Sequence, residues 1–162
     1  MIRPAEPGDA EAIAAIYNHG IEERQATFQT RAHEPGELEL KVDQRGGQLI
    51  VAEDEGRVVG WAGWSGYDDP AEYYSGIAEC AVYVGREARG KGLGVALLER
   101  LAEDAPKVGV HKLVAKIFTT NEPSIVLFRR CGFRDVGTHL RHGRLGGEWK
   151  DVLVMERSLP GA

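Results

Sequence analysis

At 162 residues and 43% hydrophobic content, the chain is one domain's worth and can build a proper core. A formal net charge of −5, with the basic residues spread along the chain rather than gathered in an arm, excludes nucleic acid as the main partner. No apolar run reaches membrane-spanning length and no apolar signal core follows the N-terminus, so the expectation is a cytoplasmic protein with no membrane partner.

The opening residues Met1 to Ala5 read as a short strand, broken by Pro7-Gly8-Asp9, where Asp9 suits a helix N-cap. Ile13, Ile16, Tyr17 and Gly20 follow at i, i+3, i+4 and i+7, which predicts a helix from Asp9 to about His19. Glu22-Glu23-Arg24 reads as a solvated turn, and Ala26-Thr27-Phe28 as a less polar patch that could line a pocket or seal the core. A second helix is expected from Gly36 to Arg45, ended by Gly46-Gly47. Leu49 to Glu53 and Val58 to Trp64 read as strands joined at Asp54-Glu55-Gly56, and a loop from Tyr67 to Ser75 carries Asp68-Asp69-Pro70 and Tyr73-Tyr74. Ile77 to Val84 is the next strand. Beyond a helix opening at Leu93, the pattern predicts a strand at His111 to Phe118, a short helix at Pro123 to Cys131, a strand at Phe133 to Leu140, a turn at Gly143 to Gly147 and a last strand at Glu148 to Glu156. Tight strand–strand turns without a regular strand–helix alternation favour an α+β domain with a mixed sheet, one domain over residues 1–162. Cys80 and Cys131 form no C-x-x-C pair and no metal spacing, so they are expected as free, buried, small apolar residues.

The stretch with the most chemical content is Val82-Tyr83-Val84, then Arg89-Gly90-Lys91-Gly92-Leu93-Gly94, then a run with Leu93, Leu97 and Leu101 on one helical face. A β-branched strand feeding a glycine-rich turn into a helix aims free N–H groups and the positive end of the helix dipole at one point, a natural phosphate site. The same spacing also fits a plain strand–helix turn. Gly85 to Lys91 satisfies the P-loop pattern G-x-x-x-x-G-K, but Gly92 stands where the magnesium-holding Ser or Thr belongs.

Further pieces recur in a set order: Ile16-Tyr17-Asn18, Ala26-Thr27-Phe28, Glu79, Asn121-Glu122-Pro123-Ser124, Cys131-Gly132-Phe133 and Gly147 to Val152. Together with Arg89, Gly92 and Gly94, which match Arg/Gln-x-x-Gly-x-Gly/Ala, they make the chain resemble the GNAT N-acetyltransferases over essentially its whole length. Within that superfamily it is similar to the branch acting on phosphinothricin, methionine sulfoximine and arsinothricin. The resemblance implies a twisted mixed sheet flanked by helices, whose two central parallel strands splay apart to admit acetyl-CoA. It implies that Val82, Tyr83 and Val84 meet the pantetheine arm, that the backbone from Arg89 through Gly90, Lys91, Gly92, Leu93 and Gly94 to Val95 holds the pyrophosphate, and that Asn121 touches the arm from the far side.

It also implies Glu79 as the general base for a small primary amine, with no metal, and a homodimer as the assembly. Phe28, Trp64, Tyr74 and Trp149 are candidate substrate walls, each of which could equally be core. Phe128 stands at the position where relatives carry a tyrosine or histidine acid, and phenylalanine has no proton to give. No Lys or Arg lies between Trp61 and Glu79, so a cation for an anionic substrate head is sought at Arg24, Arg141 or Arg144. The alternatives are a protein or peptide N-acetyltransferase, toward which the acidic loop at Asp68-Asp69 could draw a basic peptide, and a non-catalytic acyl-CoA sensor.

Overall fold

The computed structural model describes residues 1–24, 27, 48–67, 69 and 71–160. The expected helix at 36–45 and the candidate wall residue Phe28 lie outside the described residues. Seven strands form a single mixed sheet: β1 (Ile2–Pro4), β2 (Gln48–Asp54), β3 (Arg57–Gly66), β4 (Ile77–Val84), β5 (Lys112–Phe118), β6 (Arg134–Leu145) and β7 (Glu148–Ser158), in the spatial order β1-β2-β3-β4-β5-β7-β6. Only β4 and β5 run parallel; every other neighbouring pair is antiparallel.

Three described helices cover the sheet: α1 (Ala10–Glu23), α2 (Leu93–Asp104) and α3 (Glu122–Arg130). Period-2 alternation sorts the strand residues between the two faces. Leu49, Val51, Trp61 and Tyr83 pack on Ile13, Tyr17 and Ile21 of α1. Their neighbours Ile50, Ala62, Trp64, Ala78 and Cys80 pack on the opposite face, against Leu97, Leu98 and Leu101 of α2 and Ile125 and Phe128 of α3. Ile50, Leu97, Leu98, Leu101, Leu113 and Met155 are fully buried and form the centre of that larger core.

Two elements run past their expected ends. α1 continues one turn beyond His19, where Glu23 pairs with Arg89 and Glu22 reaches Arg86 from an exposed position, and it stops at Arg24, whose φ of 55° is left-handed. Gly20 faces inward as its spacing predicts; a Cβ there would sit 3.1 Å from the Tyr83 ring, so the glycine makes room for that ring. β6 continues through the expected turn to Leu145. A register break between His139 and Gly143, with Arg141 at φ 45°, lets the strand bulge and resume, and the Arg141 N–H donates to the Asp151 carboxylate at 2.7 Å. The turn itself is only Gly146-Gly147, both at positive φ.

The feature that opens the molecule is a loss of pairing. β4 and β5 are in register at Ile77↔Lys112, Ala78↔Leu113 and Glu79↔Val114, and no further. Both strands go on: β4 stays paired to β3 as far as Val84, and β5 to β7 as far as Phe118. Each strand keeps its outer neighbour and gives up its inner one, so a wedge-shaped slot runs through the centre of the sheet.

Candidate active site

Glu79 is the last residue of β4 paired with β5, so it stands at the apex of the slot. Its side chain is half-buried on the α1 face, and its Oε2 lies 3.5 Å from Nζ of Lys116 on β5. Beyond the apex a cavity of about 390 Å³ is lined by Glu79, Lys116, Thr27, Phe118, Phe128 and His142 among others. A larger groove of about 750 Å³ runs along α2 and α3 and reaches the glycine turn. The two share Val82, Tyr83, Asn121 and Ser124 as walls, so they meet in the slot. Both volumes lie in the range of small-molecule sites.

The turn is built to receive an anion. Gly92 is the N-cap of α2 at φ 80°, and Gly90 sits at φ 79°. L-residues rarely adopt that conformation, and a Cβ at either position would project into open space where a ligand can approach the backbone. The first helical acceptor, the Gly92 carbonyl, is used by the N–H of Ala96, which leaves the N–H groups of Leu93, Gly94 and Val95 with no acceptor inside the helix. The third glycine serves packing instead: a Cβ on Gly94 would meet Leu127 of α3 at 2.9 Å.

Arg89 and Glu23 both line the groove, and the Arg89 guanidinium is already engaged there by protein partners. It grips Glu23 with two hydrogen bonds of 2.8 and 2.9 Å, while its Nε donates to the Val84 carbonyl at 3.1 Å. Hydrogen bonding from Arg89, partly opposed by burial, holds the Glu23 carboxyl down at about 2. The side chain thus ties the turn back to the end of β4 and across to α1. The Asn121 side-chain oxygen accepts from the Ser124 N–H at 3.4 Å, which caps α3 and presents the remaining amide group at the junction of the two cavities. These features fit a long, thin thioester carrying a diphosphate: a through-sheet slot, open glycine positions and unpaired helix amides.

The expected substrate walls are dispersed. Trp64 is buried in the core beneath α2 and lines neither cavity. Tyr74 stacks with Tyr67 and Tyr73 in the β3–β4 loop. Trp149 is exposed on β7 with the Arg144 guanidinium 4.5 Å above its ring. Tyr83 turns its ring toward α1, stacked on Trp61 at 5.0 Å and edge-on to Tyr17, and burial pushes its phenol well above the ordinary range. Phe128 lines the cavity and packs edge-on against Phe133. Of the arginines expected to meet an anionic head, Arg24 lies against Gly146, Arg144 covers Trp149, and Arg141 is an exposed residue of the β6 bulge.

Lys116 and His142 are the polar wall residues that sequence reasoning missed. One signal was available for the first: a lysine in the otherwise apolar run Leu113 to Phe118, on a strand with neighbours on both sides. No periodicity marks the second, because the bulge in β6 sets its direction.

The fold and the slot are those of an acyl-carrier-dependent transferase. The family description "Acetyltransferase (GNAT) family" matches residues 13–133, and the chain belongs to this family. It is similar to the L-methionine sulfoximine/L-methionine sulfone acetyltransferase of Pseudomonas aeruginosa, at 36% identity over 98% of this chain and 94% of that protein. Among solved structures it is similar to a phosphinothricin acetyltransferase of Sinorhizobium meliloti in complex with acetyl-CoA, with a TM-score of 0.90 and 31% identity over 98% of this chain and 88% of that one. It is also similar to a ribosomal-protein-alanine N-acetyltransferase of Brucella melitensis, with a TM-score of 0.92 and 36% identity over 98% of this chain and 99% of that one. The chain is therefore an N-acetyltransferase, with acetyl-CoA as the family's co-substrate.

Proposed function

We propose that the chain transfers the acetyl group of acetyl-CoA directly to the primary amine of a small amino-acid-like substrate, of the phosphinothricin or methionine sulfoximine type, with Glu79 as general base. One observation carries this reading: the carboxylate of Glu79 stands at the apex where β4 and β5 part, on the wall of a cavity that meets the groove from the glycine turn. The backbone amides from Gly90 to Val95 hold the diphosphate, Val82 and Val84 face the pantetheine arm with Tyr83 between them, and Asn121 meets it from α3. Arg89 acts through the shape of the turn, and Lys91 adds positive charge beside it.

The thioester supplies an acyl carbon that an unprotonated amine attacks. Glu79 takes the proton from that amine, directly or through one water. The Val82 N–H is the donor for the carbonyl oxygen as charge builds on it. Phe128 carries no proton, so the thiolate, a weak base, departs without an acid from this wall.

Glu79→Gln tests the assignment. It is expected to lower turnover by roughly 10²–10⁴-fold, the usual contribution of a positioned base, and to leave the thermal stabilisation by acetyl-CoA unchanged. A fully active variant removes Glu79 from the mechanism. The likeness to a ribosomal-protein-alanine acetyltransferase favours a second reading, in which the acceptor is a peptide N-terminus. Release of CoA from acetyl-CoA with phosphinothricin, methionine sulfoximine and a peptide beginning with alanine separates the two.

The assembly we propose is a homodimer. β6 is exposed along most of its length at the edge of the sheet, and Val136, Leu140 and Trp149 stand out on the β6–β7 hairpin. Long open edges with apolar side chains are ordinarily covered. The cytoplasmic expectation is supported by two buried cysteines that are both free thiols.

A further inference from the structure

Among the described residues, the cavity wall beyond the slot carries two side chains with full charge, Glu79 and Lys116, and His142 of β6 lines it as well. Lys116 lies on an interior strand, where burying an ammonium is costly unless it is paired and partly wet. Here it is both: its side chain is 34% exposed through the cavity, and its Nζ is 3.5 Å from the Glu79 carboxylate. Of the three arginines that could have met an anionic substrate group, Arg24 lies against Gly146 and Arg144 covers Trp149, and none of the three is among the residues lining this cavity.

The pair has a polarity. Along the cavity floor a negative group on β4 is followed at once by a positive group on β5. A free α-amino acid has the reverse order, an ammonium and a carboxylate on one carbon. Laid over the pair, its amine meets Glu79 and its acid meets Lys116. A peptide N-terminus brings an amine but no free α-carboxylate, and a lysine side chain brings an amine with no acid nearby. The pair therefore discriminates on charge spacing, without touching the rest of the substrate.

We propose that Lys116 is the residue that recognises the acid group of the acceptor, with His142, which lines the same cavity from β6, as a second donor. In this arrangement Lys116 passes from the Glu79 carboxylate to the incoming carboxylate as substrate binds. The inference rests on the acetyl-transfer reading above and names the specificity residue of that same site.

The test uses Lys116→Met, Lys116→Arg and His142→Ala, with L-methionine sulfone and its carboxamide as probes. Charge-assisted hydrogen bonds are worth enough to change affinity by roughly 10- to 100-fold. The wild type is expected to prefer the acid over the amide. Lys116→Met should raise the KM for the acid by about that factor relative to the amide, which erases the preference. Lys116→Arg should keep most of it, and His142→Ala should weaken it in the same direction.

An unchanged acid-to-amide ratio in Lys116→Met overturns the proposal. So does an equal fall in kcat for both probes, which would make Lys116 only a holder of Glu79. A binding readout stands apart from turnover: methionine sulfone should raise the melting temperature of the CoA-bound wild type and fail to raise that of Lys116→Met. If the wild type binds methionine sulfone in this way yet transfers no acetyl group to any amine, the acetyl-transfer reading fails. If it transfers the group but Lys116→Met binds and discriminates as before, this inference alone fails.

Discussion

The first arginine of the glycine turn is held by its neighbours. Arg89 spans from the Val84 carbonyl to the Glu23 carboxylate, so one side chain joins the end of β4, the turn and the last turn of α1. Glu23 has its folded-state value pulled from 4.5 to about 2. A depressed carboxyl contributes stability that is complete above its unfolded value and is lost as pH falls through the folded one. The contribution is thus present above about pH 4.5 and gone near pH 2. The Arg89 side chain is 47% exposed, so solvent screening cuts this to about 1 kcal/mol. Glu23→Gln should lower the melting temperature by roughly 2–4 °C at neutral pH, with the difference from wild type vanishing toward pH 2. The same variant should bind acetyl-CoA several-fold more weakly, because the turn loses its anchor. Tighter binding would mean the reverse: that Glu23 holds Arg89 away from the phosphates.

At the scale of elements, much of the fold was legible and the reasons are local. Apolar runs bounded by turn residues marked all seven strands, and Leu97 and Leu101 did face the core. The parting of β4 and β5 was legible only through resemblance, because no residue in either strand forbids pairing. The bulge that turns His142 toward the cavity was likewise hidden, since it depends on Arg141 in a left-handed conformation and an Asp151 carboxylate ten residues away. Trp64 misled for the opposite reason: its chemistry suits a substrate wall, but strand parity sends it under α2.

The glycine turn also separates into parts. Gly90 and Gly92 answer to backbone conformation and ligand approach, and Gly94 to the α2–α3 contact. Gly92→Val should cost roughly 1–3 kcal/mol through the left-handed backbone alone. It should also abolish the thermal stabilisation by acetyl-CoA. Retention of that stabilisation would remove the turn as the diphosphate site.

As a whole, the molecule is a sheet with two uses. The face under α2 and α3 leads in from the glycine turn, the face under α1 holds Glu79 and Lys116, and the slot joins them. In the proposed reaction, donor and acceptor approach from opposite sides and meet at the apex. The apolar residues that stand out on the β6–β7 hairpin, Val136, Leu140 and Trp149, are not among the residues lining either cavity. Sedimentation should give twice the chain mass, and Leu140→Asp should shift it to one chain, since Leu140 is among the most exposed apolar residues. A wild type that sediments as a single chain contradicts the homodimer.

The most direct measurement is a crystal structure of the chain grown with acetyl-CoA. The expected density has its diphosphate on the amides between Gly90 and Val95 and its thioester in the gap between β4 and β5, near Glu79. A carrier bound outside that gap, or one whose acyl end points away from Glu79, would contradict the account.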